Sequence, residues 1–170
     1  DIESSLTIVK DETGSVYWPL FGLNSIGSLT DGKGYQIKME LADTLVMDGD
    51  LVPSDLSFEL TAGWGIMGYL HQACYDAADM MLPIVDSLTI VKDQSGSVYW
   101  PLFGLNSIGN MCPGQGYQIK MNVTAAFSYP SPTSDSGRLG YAEPIRMIHY
   151  DVAHNTGSNM IIGLPTTAWE

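Results

Sequence analysis

The sequence predicts an all-β fold built as a tandem repeat of short strands and hairpins, sandwich-like, with one short helix per repeat unit. Three observations carry this: a long internal repeat, β-branched runs closed by glycine turns, and a strand of strict period-two alternation. The repeat comes first because it sets the frame for every motif. Residues 5–40 (SLTIVKDETGSVYWPLFGLNSIGSLTDGKGYQIKME) recur at residues 87–122 (SLTIVKDQSGSVYWPLFGLNSIGNMCPGQGYQIKMN), with 28 of 36 positions identical. A fixed period of 82 residues means repeated copies of one structural unit.

Within each copy the elements follow from local chemistry. Leu6-Thr7-Ile8-Val9 is a β-branched run, and Asp11-Glu12-Thr13-Gly14 is a turn in which glycine supplies positive φ. Ser15-Val16-Tyr17-Trp18 returns as the partner strand and stops at Pro19, which has no N–H for a ladder. Gly32-Lys33-Gly34 leads into Tyr35-Gln36-Ile37-Lys38-Met39, where apolar and polar residues alternate as in a half-buried strand. The second copy repeats each element. Ahead of it lies a prelude, residues 55–70 and then 73–86, with an opening strand at residues 64–69 and a helix expected over residues 73–82, halted near Pro83. The matching prelude of the first copy would precede residue 1.

This divides the chain into residues 1–57, the C-terminal part of a first unit with its connection; 58–127, a complete second unit; 128–137, a Ser/Pro-rich linker; and 138–170, the start of a following β module or a donated strand. The last assignment rests on Asn159-Met160-Ile161-Ile162-Gly163-Leu164, which resembles Trp64-Gly65-Ile66-Met67-Gly68-Tyr69 at a spacing of 95. A chain that starts and stops within a unit reads as a slice of a longer array. Met160, Ile161 and Ile162 are then candidate subunit contacts.

Composition bounds the partners. Hydrophobic residues at 45% suffice for a core, and seven Lys+Arg against 19 Asp+Glu leave a net charge of −12. That acidity argues against nucleic acid or an anionic membrane surface, and no apolar run approaches the roughly 18 residues of a membrane helix. Membrane insertion is therefore not expected.

The string Gly63-Trp64, Gly68-Tyr69, Thr89-Ile90-Val91-Lys92, Val98-Tyr99-Trp100-Pro101, Ile108-Gly109 and Pro113-Gly114-Gln115-Gly116-Tyr117-Gln118-Ile119-Lys120 resembles a tandem β-repeat module. Such modules occur in long secreted or cell-surface proteins of Bacteroidota and related environmental sequences. The tail from Asn155 to Pro165 looks like the opening strand of a β module that often follows it there. The resemblance implies export, a multidomain setting and an adhesive or structural role rather than an enzyme. The first copy departs from the pattern, with Thr30-Asp31 where the second has Cys112-Pro113.

Candidate sites divide by chemistry. The repeated aromatics Tyr17, Trp18, Phe21 and Tyr35, with Tyr99, Trp100, Phe103 and Tyr117, are first of all core residues of the repeat. Tyr17 and Trp18 are adjacent in a strand and face opposite sides, so Tyr17, Trp18, Tyr99 and Trp100 are also candidate subunit or glycan contacts. His149, Asp151 and His154 do not converge as three metal ligands do, and Asp48-Gly49-Asp50 lacks the oxygen count and spacing of a calcium loop, so no metal is expected. No nucleophile elbow, zinc-protease helix or phosphate loop is present, so neither catalysis nor a cofactor is expected. For Cys74 and Cys112, a disulfide is the favoured reading in an exported protein, a nucleophilic thiol the other. Asn122 opens a glycosylation sequon, and Thr44 and Ser87 lie in Asp-Ser/Thr-aliphatic tripeptides. The expected function is a non-enzymatic extracellular array or fibre joined by β-edges to copies of itself or to neighbouring modules. The rival is a cell-surface adhesin that binds glycans.

Overall fold

The computed structural model describes residues 2–47, 49–132, 148–152 and 160–163. It is mostly β-strand, in several antiparallel sheets, with one short α-helix. The first repeat copy supplies β1 (Leu6–Lys10), β2 (Val16–Trp18), β3 (Leu23–Asn24) and β4 (Gly34–Met39), and β5 (Asp43–Met47) follows it. The chain continues through β6 (Phe58–Leu60), β7 (Gly63–Gly68), β8 (Tyr75–Asp76) and α1 (Ala77–Met81). The second copy then gives β9 (Leu88–Lys92), β10 (Val98–Trp100), β11 (Leu105–Asn106), β12 (Asn110–Met111) and β13 (Gly116–Met121), and β14 (Ala125–Phe127) follows it. Two further strands follow, β15 (Ile148–Val152) and β16 (Met160–Gly163).

Each hairpin is pinned by one carboxylate. Asp11 Oδ1 accepts from the N–H groups of Thr13 (2.9 Å) and Ser15 (2.8 Å), and Gly14 turns the corner at φ 89°. Asp93 does the same for Ser95 and Ser97, with Gly96 at φ 90°. The side chain thus fulfils backbone donors that a tight turn leaves open.

The second sheet runs β11-β10-β9-β13-β7. Its core joins Val91, Tyr117, Ile119 and Met121 to Met67, Tyr69, Met80, Met81 and Phe127, all nearly inaccessible to solvent. Burying such side chains contributes about 1.5–3 kcal/mol each relative to exposure, and this cluster is the larger of the two cores. The first sheet runs β16-β4-β1-β2-β3 around a smaller cluster of Ile2, Val9, Tyr35, Ile37 and Met39.

Two expectations are corrected. The helix begins at Ala77 rather than residue 73, because Tyr75 and Asp76 pair with Met111 and Asn110 as β8, and Asp76 then caps the helix by accepting from Ala78 N–H at 2.8 Å. The α-helix ends at Met81, near Pro83 as the sequence suggests. Pro83 then lies in the first turn of a 3-10 stretch, Leu82–Ser87, where its fixed φ and missing N–H are tolerated. Among the described residues the helix occurs once, not once per unit.

The Ser/Pro-rich stretch starts inside the core. Tyr129 is buried against Phe58, Tyr69, His71 and Phe127, and its hydroxyl donates to the Gly68 carbonyl at 3.0 Å.

Candidate functional site

The feature that organises the molecule is the outer edge of β4. In the second sheet, β7 lies on β13 with Gly68 opposite Gly116, Met67 opposite Tyr117, Ile66 opposite Gln118 and Gly65 opposite Ile119. In the first sheet, β16 lies on β4 with Gly163 opposite Gly34, Ile162 opposite Tyr35, Ile161 opposite Gln36 and Met160 opposite Ile37. Gly34, Tyr35, Gln36 and Ile37 are the counterparts of Gly116, Tyr117, Gln118 and Ile119. The register is therefore the same, and the residues of β16 stand in for those of β7 at the spacing of 95. The strand before it behaves alike: Val152 faces Asp43 as Leu60 faces Ala125. Met160, Ile161 and Ile162 thus complete a sheet of their own chain, reached across more than 100 residues.

The two sheets meet where repeat symmetry is broken. Glu12 pairs with Lys33, and its other oxygen accepts from Ile66 N–H on β7 at 3.1 Å. The second copy has Gln94 and Gln115 at those positions, so this ion pair belongs to the junction alone. Gly68 N–H donates to the Gly32 carbonyl at 2.9 Å. Gly34 has no room for a side chain, since a Cβ there would stand 2.7 Å from Ile66 Cγ2 and 2.8 Å from the Met67 carbonyl oxygen. Gly34→Ala is therefore expected to cost about 1–3 kcal/mol by overpacking the junction, read by chemical denaturation. A change within a few tenths would mean that β4 and β7 are not in contact.

The aromatics separate as strand alternation requires. Tyr35 and Tyr117 are buried, and their hydroxyls accept from Thr30 N–H (2.9 Å) and Cys112 N–H (3.1 Å). Burial pushes the Tyr117 phenol up to about 12. Tyr99 is also buried, its phenol raised by desolvation and then by Asp76 and Asp79, whereas Tyr17 is half-buried and donates to Glu3. Trp18 and Trp100 lie on the other face, edge-on to Phe21 and Phe103. The residues beyond them are the surprise: Leu20 and Leu102 are 82% exposed, and Phe21 and Phe103 are 66% exposed. Each copy thus presents the same apolar tip.

Trp64, outside the repeated aromatic set, is half-exposed beneath the Lys92 and Lys120 ammonium groups, 5.1 and 5.8 Å from its ring. It borders a polar cleft of about 380 Å³ with Lys10, Glu12, Gln36 and Gln118. It lies between the two repeat copies, so their comparison does not single it out.

Cys74 and Cys112 form a disulfide. Asn122 is exposed, accepting from the Thr89 hydroxyl at 2.7 Å, while Thr44 and Ser87 are half-buried. His154, Asp48 and all of residues 133–147 and 153–159 lie outside the described residues, and His149 and Asp151 are placed by backbone register alone. Among the described residues no cluster of His, Cys, Asp or Glu could hold a metal, and no helix is long and apolar enough to cross a membrane.

His71, which no sequence motif marks, is buried between Tyr69, Tyr75 and Tyr129, with Nε2 3.1 Å from the Pro130 carbonyl oxygen. Desolvation lowers its pKa despite that hydrogen bond. The unfolded chain then binds a proton that the folded chain refuses, so stability is full above the ordinary imidazole value of about 6.5 and falls as pH drops below it. Replacing His71 by Gln should flatten the stability profile between about pH 5 and 7; an unchanged slope in thermal melts would assign it elsewhere.

No family model, no curated protein and no solved structure matches the chain.

Proposed function

We propose that this chain is a non-enzymatic structural module of an extracellular tandem-repeat protein, whose units join by β-strand addition into an array or fibre. The observation that carries the reading is the β4 edge. Its sheet is completed by a strand from more than 100 residues away, in the register its counterpart β13 uses for β7. A sheet edge filled by a sequence-distant strand is one that a strand of another unit can fill, because main-chain hydrogen bonds supply the attachment. The exposed Leu-Phe tips on both copies offer a second, lateral contact. Export fits the disulfide, the acidic balance and the resemblance to secreted repeat modules.

Electron microscopy with light scattering on the native protein tests this. Regular filaments with an axial repeat of one or two units are expected. Monodisperse particles of 18.5 kDa at all concentrations would overturn it.

A glycan-binding adhesin is favoured by one observation, the half-exposed Trp64 in its polar cleft. On this reading Trp64→Ala abolishes glycan retention while the double substitution Trp18→Ala, Trp100→Ala retains it; retention by none of the three proteins removes the reading.

A further inference from the structure

The polar cleft beside Trp64 is built from both repeat units, and from the same pair of side chains in each. In the first sheet Lys10 lies opposite Gln36 on neighbouring strands, and in the second Lys92 lies opposite Gln118. Lys10, Gln36 and Gln118 line the cleft with Trp64, and the Lys92 ammonium lies 5.1 Å from the indole ring. Strand alternation accounts for the placement, since Gln36 and Gln118 face away from the cores that hold Tyr35, Ile37, Tyr117 and Ile119. Trp64, opposite Lys120 in register, shares that outer face and stays 50% exposed.

Charge sets this place apart from the rest of the chain. The sequence has five lysines against 19 acidic residues, and four of the five, Lys10, Lys33, Lys92 and Lys120, gather in or beside the cleft. Its two lining carboxylates are already engaged. Asp11 Oδ1 accepts from the Thr13 and Ser15 N–H groups, and Glu12 is bound to Lys33 and to Ile66 N–H. Among the described residues no carboxylate pairs with Lys10, Lys92 or Lys120. At physiological salt a charge is screened within about 8 Å, so these lysines rather than the net charge of −12 set the local field.

The three kinds of group suit one class of ligand. A half-exposed indole offers a flat apolar surface to the C–H face of a pyranose. The carboxamides of Gln36 and Gln118 both donate and accept, as sugar hydroxyls require. The ammonium groups add a demand for negative charge. A neutral sugar would use the ring and the amides but not the lysines; an inorganic anion would use the lysines but not the ring. We infer that the Trp64 cleft binds an acidic sugar, a hexuronic acid residue of an oligo- or polysaccharide, with Trp64 against the pyranose and Lys10 and Lys92 on its carboxylates. The inference names the ligand class for the glycan-binding reading and rests on it. It also makes the site a property of the junction, since Lys10 and Gln36 come from one unit and Trp64, Lys92 and Gln118 from the next.

Isothermal titration of the full chain tests it with tetramers of galacturonic, glucuronic and mannuronic acid, each beside its neutral hexose counterpart. At least one acid tetramer should bind about tenfold more tightly than its counterpart in roughly 0.05 M salt, and lose that preference in roughly 0.5 M salt. The double variant Lys10→Gln, Lys92→Gln should lose the preference, while Lys38→Gln, which removes a lysine outside the cleft, keeps it. Trp64→Ala should abolish binding of acid and neutral tetramers alike. Equal affinity for acid and neutral sugars that still requires Trp64 would overturn the acid preference and leave the glycan reading standing. A preference that survives the double variant, or that Lys38→Gln removes as completely, would overturn the site. Binding of none of the six sugars would remove the inference and the glycan reading together.

Discussion

Replacing Tyr129 by Ala is expected to lower stability by about 4 kcal/mol, the range of large aromatic truncations in packed cores. Its ring is enclosed by Phe58, Tyr69, His71 and Phe127, and its hydroxyl holds the last carbonyl of β7. Truncation therefore leaves a cavity and removes a buried hydrogen bond together. Tyr129→Phe separates the two, since it keeps the ring and should cost only about 1 kcal/mol. Urea denaturation of both variants reads the difference. A loss near zero for Tyr129→Ala would mean that residues 128–132 behave as a solvated linker after all.

The second large effect is on the disulfide. Cys74 and Cys112 close a loop of 38 residues, which in the chain-entropy account is worth about 4 kcal/mol through restriction of the unfolded chain. The paired substitution Cys74→Ser, Cys112→Ser is expected to lose roughly that much, and reduction of the wild-type chain should reproduce it. Because the bond staples the lead-in of α1 to the second sheet, loosening should be felt first at Ala77, Met80 and Met81. Equal denaturation midpoints for oxidised and reduced protein would show that the bridge carries no stability.

What was legible in the sequence is what local chemistry decides. The hairpins at Asp11 and Asp93 follow from a turn carboxylate beside a glycine, and β4 from its alternation of Tyr, Ile and Met with Gln and Lys. The likeness of residues 159–164 to residues 64–69 was legible as well. Its destination was not, because pairing between β16 and β4 is set by a distant edge rather than by either segment. The burial of Tyr129 was hidden by Ser and Pro neighbours that suggest a solvated chain, and that of His71 by the lack of any motif around it. Conversely, Leu20, Phe21, Leu102 and Phe103 carry core letters but sit at turn tips, where Pro19 and Pro101 lead the backbone away from the sheet. The helix boundary moved because Asp76 serves both the β8 ladder and the cap.

The central claim is that the β4 edge accepts an opening strand from outside its own contiguous sequence. It is tested most directly by amide hydrogen exchange on a chain lacking residues 148–170, with and without a peptide of residues 158–166. Fast exchange in β4 without the peptide, and saturable restoration of protection by it, is the expected result. Protection of β4 that is unchanged by deletion, or a peptide that restores none, would contradict the account.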